Sequence, residues 1–312
     1  MIKCKFKLLS AIIFLFQIGG NLFGQTKIGE DVNFVKRFME KYAGEFAFLI
    51  NDLPEDYLFL CNDRSEINNL KCIPTILHER YHEYNNSLNG PTTGYRNYFF
   101  RGKVYRLIKQ SVFKTSLMSA IVPTALQHHS NRYQIYVNGL SIAGNEMRQD
   151  AGENGIYGLL EELGAYYLSS LSYVREYDYL SQKADFNDPI VGYQYLGGMG
   201  SILSSGSEFK LFIGYYLLYA RQYRQELYAS LINDKEFRFL YRALNDSFTS
   251  VIAEYGSNRD KILAGCRNKI SYRDGYVILR ETNEKMASGD QDSIFLQTFF
   301  TKEINEILDL LN

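Results

Sequence analysis

The chain has no tryptophan, and only four of its 312 residues are histidine and four cysteine. Neither sign of charge dominates, with 34 Lys+Arg against 35 Asp+Glu, so there is no basic field to attract nucleic acid. No internal repeat or low-complexity block is present. Neither G-x-G-x-x-G nor a glycine-rich loop ending in G-K-[ST] occurs, so the two common phosphate-cradling patterns are absent. Beyond Ile18 no apolar run is long enough to span a bilayer. What the chain does have is 46% hydrophobic residues, with 26 Tyr and 21 Phe. That content excludes disorder and can fill a sizeable core, in one large domain or two small ones.

The first residues read as an export signal. MIKCKFK carries three lysines, and Leu8 to Ile18 is an apolar run of 11, short for a membrane span. GGNLFGQ follows with small residues, which places the expected cut after Gly24. Residues 1–24 are then a signal peptide and the mature chain starts at Gln25, with 31 basic and 35 acidic residues and a net charge of −4. An uncleaved anchor is the competing reading. No cysteine follows the apolar run closely, so no lipid-anchored terminus is expected. Export leads to a periplasm or to the outside of the cell, where disulfides are permitted. Cys61 and Cys72, 11 residues apart, are candidates for one, and Cys266 is left over. Three buried free thiols are the equal alternative.

Two parts follow the signal. Residues 25–150 read as α+β. Phe34, Val35, Phe38, Tyr42, Phe46 and Ile50 recur at helical spacing, and a second helix is expected over Ile73–Leu88 with Pro74 in its first turn. YRNYFFRGKVYRLI and NRYQIYVNG look like strands, whereas FKTSLMSAIVPTALQHH between them is ambiguous. Residues 151–312 read as helical, in four stretches beginning at Gly155, Ser207, Asp234 and Ser293. Between the first two, VGYQYLGGMGSILSSGSE is rich in glycine and serine and is expected to be a loop, with a mobile lid as its possible use. The two parts together are expected to form one catalytic domain.

Half of the chain's histidines fall in one register. His78-Glu79-Arg80-Tyr81-His82 fits H-E-x-x-H, and positions four apart share a helix face, so both imidazoles can reach one ion. Leu77, Tyr81, Tyr84 and Leu88 form an apolar stripe beside them that can anchor the helix. Glu79, one position round, can take a proton from a water without being a ligand. A catalytic zinc takes three protein ligands and keeps one position open. A glycine at 85 and a histidine at 88 would mark the metzincin extension, but Asn85 and Leu88 stand there, so the third ligand must come from elsewhere. His128 and His129 are candidates, with a polar loop as their plainer reading. Tyr157 to Ser170 is the better source, because it sets Glu161 and Glu162 in a helix otherwise dominated by apolar and small residues. A buried acid is costly unless it is paired or bound to a metal.

Together HERYH and EELGAYY resemble the gluzincin group of zinc metallopeptidases, which includes thermolysin and the aminopeptidases related to it. In that group a second helix supplies a glutamate ligand, often followed by two residues and then Ala or Ser, as in Glu162-Leu163-Gly164-Ala165. The resemblance implies Zn2+ held by His78, His82 and Glu162, with Glu161 as the alternative third ligand, and Glu79 as general base. It implies a tyrosine or histidine that steadies the oxyanion, for which Tyr166, Tyr167, His128 and His129 are candidates. It also implies a mainly helical α+β fold with a zincin-like core, a small sheet beside the HExxH helix and a helical C-terminal part. Two departures limit it. His82 and Glu162 are separated by 79 residues, far more than in the best-known members, and Tyr166 stands where thermolysin-like enzymes carry an acid one turn after the glutamate. If Glu162 is the ligand, Glu161 is free to accept from a ligand imidazole N–H.

The expected function is a secreted zinc metallopeptidase acting on a peptide or protein substrate, which an edge strand such as NRYQIYVNG or YFFRGKVYRL would hold by backbone pairing. Neither nucleic acid nor a membrane span after signal removal enters this reading. A secreted binding protein with an accidental or structural metal motif is the alternative, and a zinc hydrolase acting on another bond is a third.

Overall fold

The computed structural model describes residues 34–50, 66–90, 94–139, 150–183, 186, 188–198, 200–266, 268–288 and 290–312. The expected signal peptide, residues 1–24, and Cys61 lie outside the described residues. Among the described residues the fold is mainly helical with two small antiparallel sheets. Its buried side chains form one continuous core running from Phe34 to Leu311. No helix among the described residues is long and apolar enough to cross a membrane.

The centre is a helix of 28 residues, α6 (Ile156–Lys183), buried on nearly every side. Among the described residues five shorter helices precede it: α1 (Phe34–Tyr42), α2 (Glu66–Ser87), α3 (Thr124–His129), α4 (Asn131–Tyr136) and α5 (Asp150–Glu153). Behind it come α7 (Pro189–Gly198), α8 (Gly200–Tyr223), α9 (Gln225–Asn233), α10 (Lys235–Gly265), α11 (Asp290–Gln297) and α12 (Lys302–Asp309). α1 buries Phe34, Val35, Phe38 and Met39. Its Phe34 and Phe38 rings lie 5.5 and 6.0 Å from the Tyr179 ring of α6. The helical pattern past Tyr42 tightens into a 3-10 helix over Gly44–Ile50.

α2 begins at Glu66, not at Ile73, so Pro74 stands inside it instead of in its first turn. Proline has no N–H to give the Leu70 carbonyl. The helix survives because its far side is packed, with Leu70, Ile73, Ile76 and Leu77 each no more than 1% exposed. Ser169 of α6 donates to the Pro74 carbonyl at 2.9 Å. Cys72 is disulfide-bonded, and Cys266 is a buried free thiol.

The first expected strand segment is a hairpin, β1 (Tyr95–Phe100) paired with β2 (Lys103–Ile108). Arg101 and Gly102 between them both take positive φ, 46° and 77°, as a two-residue hairpin turn requires. Tyr98, Phe100, Tyr105 and Leu107 point into the core. The second expected strand is instead α4. Ser130 decides this locally, since its Oγ accepts from the Tyr133 N–H at 3.0 Å and caps the helix. The ambiguous stretch between is a 3-10 helix, Thr115–Ala120, followed by α3.

The glycine- and serine-rich stretch expected as a loop is also helical, forming α7 and the start of α8. Its glycines serve close packing. A Cβ at Gly206 would stand 2.6 Å from the Phe248 ring of α10, and one at Gly192 2.7 Å from Ile262. A second sheet, β3 (Ile270–Arg273), β4 (Tyr276–Leu279) and β5 (Glu284–Ala287), was not anticipated from the sequence. Asp274-Gly275 turns its first hairpin with φ of 54° and 72°, a signal the helical pattern around it obscured.

Candidate metal centre

α2 and α6 cross closely because Gly164 offers no side chain. A Cβ there would fall 2.5 Å from the Tyr81 hydroxyl oxygen and 2.8 Å from its ring. Tyr81 is fully buried, so α6 can approach only over a glycine. On the far side of α2, Arg80 donates to the Leu49 carbonyl at 2.8 Å, which sets the rotation of the helix. The face left toward α6 carries His78, Glu79 and His82.

His78, His82 and Glu162 converge. His82 Nε2 is 3.2 Å from His78 Nε2 and 3.5 Å from Glu162 Oε1, and His78 Nε2 is 3.4 Å from Glu162 Oε2. The three side chains form a group that could hold a metal ion. A tetrahedral ion with bonds of about 2.0–2.1 Å sets its ligand atoms about 3.3–3.4 Å apart, close to the 3.2 Å between the two imidazole nitrogens, and each nitrogen meets a different oxygen of Glu162. Glu162 Oε2 is buried with no hydrogen-bond partner among the described residues. A cation between the two imidazole nitrogens and the carboxylate would satisfy it, so the residues present fit a metal.

The charges support one another. Burial penalises ionised Glu162, but the imidazoles of His82 and His78 outweigh it and hold the carboxyl at about 2. Burial likewise opposes a charge on His82, and Glu162 with Glu161 reverses the balance, holding it well above the ordinary histidine value. Glu79 is 4% exposed, and burial raises its pKa against the pull of the two histidines.

Glu161 does not join the three converging atoms. Its Oε1 accepts from His82 Nδ1 at 3.0 Å, and its Oε2 accepts from Arg96 Nη2 of β1 at 2.6 Å. Tyr166 lies edge-on to the His78 ring, centroids 4.7 Å apart at 81°. Its hydroxyl is 3.2 Å from that of Tyr136, and the Arg132 guanidinium sits 4.6 Å over its ring. Arg132 in turn donates to Glu208 of α8 at 2.5 Å, and Ser130 donates to the other oxygen of the same carboxylate. Burial, then the charge of Glu162, pushes the Tyr136 hydroxyl well above the ordinary tyrosine value.

The other expected residues lie elsewhere. Tyr167 faces the core, its ring 5.2 Å from Phe100, 5.9 Å from Phe248 and 6.1 Å from Phe46. His128 and His129 are exposed on α3. His129 pairs with Asp292 of α11 at 3.2 Å and rests on Phe295. Of the expected substrate-pairing strands, one is α4, and in the other the outer edge of β1 is taken. There Asn89 Oδ1 accepts from the Asn97 N–H at 2.7 Å, and Asn85 Oδ1 from the Phe99 N–H at 2.8 Å.

Arg96, Arg132, Tyr136 and Glu208 were missed in the sequence. Two of them left a signal there. Arg96 occupies the inward face of β1 with Tyr98 and Phe100, and Glu208 sits among apolar residues of a helix. A charge in register with a core needs a partner. Comparison with protein-family models, curated proteins and solved structures finds no match to this chain.

Proposed function

We propose that this protein is an exported zinc-dependent hydrolase with a zincin-like core, and that its substrates are peptides or proteins. The observation that carries the reading is the convergence of His78 Nε2, His82 Nε2 and the Glu162 carboxylate, beside a buried glutamate, Glu79, that is not one of the three. The donor set of two imidazoles and one carboxylate suits zinc and leaves a fourth position for water or substrate. When bound, zinc supplies a Lewis-acid charge that acidifies water and polarises a carbonyl.

The chain's own residues do the rest. Glu79 accepts the proton from the attacking water and passes it to the leaving amine. Tyr166 and Tyr136 present paired hydroxyls on the His78 side of the centre, where they can donate to an oxygen that gains negative charge. Arg132, anchored by Glu208, fixes the Tyr166 ring. The export proposal rests on residues 1–24.

The test is zinc per chain in residues 25–312, followed by peptide-library digestion with wild type and Glu79→Gln. About one zinc per chain in both proteins, with cleavage lost by more than about 100-fold in the variant, is the expected result. No zinc after reconstitution would end the reading. Stoichiometric zinc without hydrolysis of any substrate would make the centre structural.

A further inference from the structure

Two adjacent glutamates enter the site from α6, and they do different things. Glu162 aims both oxygens at the Nε2 atoms of the histidines, whereas both oxygens of Glu161 are already engaged. We infer that Glu161 is a positioning residue which, held in place by Arg96 of the hairpin, fixes the ring orientation and tautomer of His82 for a metal. The inference rests on the metal reading of the site and assigns work to residues that touch neither metal nor substrate.

The geometry leaves little freedom. Glu161 Oε1 lies 3.0 Å from His82 Nδ1, so when the ring sheds a proton to bind a metal, the one it keeps belongs on Nδ1 and the lone pair on Nε2. That lone pair then faces His78 Nε2 and Glu162 Oε1. An imidazole free to turn about χ2 would carry Nε2 away from this point. Glu161 could itself swing toward a cation, but Arg96 Nη2 holds its Oε2 at 2.6 Å. The two side chains are largely shielded, 7% exposed for Glu161 and 17% for Arg96, so the ion pair works in a medium poorer than water. Arg96 is on the inward face of β1, beside Tyr98, whose hydroxyl donates to the Tyr157 carbonyl of α6 at 2.8 Å. The hairpin thereby braces a ligand on α2 through a carboxylate on α6. Glu161 and Arg96 cancel in charge, which leaves the charge of Glu162 for the cation.

The double variant Arg96→Met/Glu161→Ala removes the brace at constant net charge, so it separates orientation from electrostatics. Zn2+ affinity of the full mature chain would be measured by competition with a chelator. The visible spectrum of the Co2+ form would report coordination geometry, and 15N shifts of His82 in the Zn2+ form which ring nitrogen keeps the proton. We expect affinity to fall about 10–100-fold, the Co2+ bands to broaden, and the Nδ1–H tautomer to lose its dominance. Glu161→Gln, which keeps a hydrogen-bond acceptor, should lose less. Thermal unfolding of the metal-free proteins checks that each variant is folded, and Glu161→Gln serves if the double variant is not. Affinity within two-fold of wild type in folded variants, with an unchanged spectrum, would overturn the inference while leaving the metal site standing. Wild type that binds no metal would overturn both.

Discussion

The two halves of α6 each bury carboxylates, to opposite effect. Near its start, Glu161 and Glu162 are 6% exposed and face two imidazoles and a guanidinium. Fourteen residues beyond Glu162, Glu176 is equally buried at 5%, and like Glu162 Oε2 its Oε1 has no hydrogen-bond partner among the described residues. Burial pushes Glu176 well above the ordinary glutamate value, with only Lys71 pulling against it, whereas the histidines take Glu162 down to about 2. A buried acid in an apolar helix is therefore not in itself a sign of a metal site. What marks the first pair is the convergence of other donors on it.

The largest effect should come from breaking the converging half. Glu162→Gln keeps the shape and removes the charge, and metal affinity should fall by more than the roughly 100-fold ceiling for residues outside the coordination sphere. Zinc should raise the unfolding temperature of wild type and leave that of Glu162→Gln unmoved. A zinc-induced shift of equal size in both would remove Glu162 as a ligand. Gly164→Ala tests how the halves come to differ, since it pushes α6 off Tyr81 at the site end alone. Overpacking a full core costs about 1–3 kcal/mol, somewhat offset by alanine's better helix propensity. Denaturant unfolding should show a net loss, and metal affinity should fall with it. A variant as stable as wild type would mean that the helices can part without cost.

Glu176→Gln sharpens the other side. Above the ordinary glutamate value the unfolded chain releases this proton and the folded chain keeps it. Stability therefore declines as pH rises, by up to about 1.4 kcal/mol per pH unit, until the folded-state value is passed. Glutamine cannot titrate, so the variant should gain on wild type from about pH 5 upward and match it near pH 4. Denaturation midpoints across that range measure the difference. A constant offset between the two proteins would show that Glu176 finds a partner on folding.

The sequence made the convergence legible in part. A histidine pair four apart identifies its own helix face, and two glutamates in an apolar helix ask for partners, so the cluster of His78, His82 and Glu162 could be anticipated. Local pattern was misleading where a single residue or a tertiary contact decided the outcome. NRYQIYV has the composition of a strand, but the Ser130 hydroxyl caps it as a helix. LGGMGSILSSG reads as a loop because glycine disfavours helices in isolation, yet its glycines are where Tyr173, Met286 and Phe248 press in. Arg132 and Tyr136 were invisible as site residues because their place depends on that misread segment. The choice between Glu161 and Glu162 could not be made along the chain either, since Arg96 separates them from across the hairpin.

The smallest effect belongs to the histidines that lie away from the cluster. His129→Ala removes a pair with Asp292 in which the two side chains are 35% and 46% exposed. Pairs this open to solvent contribute about 0–1 kcal/mol and weaken further in salt. The lost contact with the Phe295 ring adds packing on the same scale. Metal affinity should not change, because the imidazole is held by α11 and not by the residues around His78. Measuring His128→Ala and His129→Ala beside Glu162→Gln decides the third ligand by contrast. If either histidine variant lost metal and Glu162→Gln did not, the centre would be a three-histidine site and the approach of Glu162 a coincidence. Unchanged affinity in both, with loss only at Glu162, would fix the carboxylate as the ligand whose charge the two imidazoles already sustain.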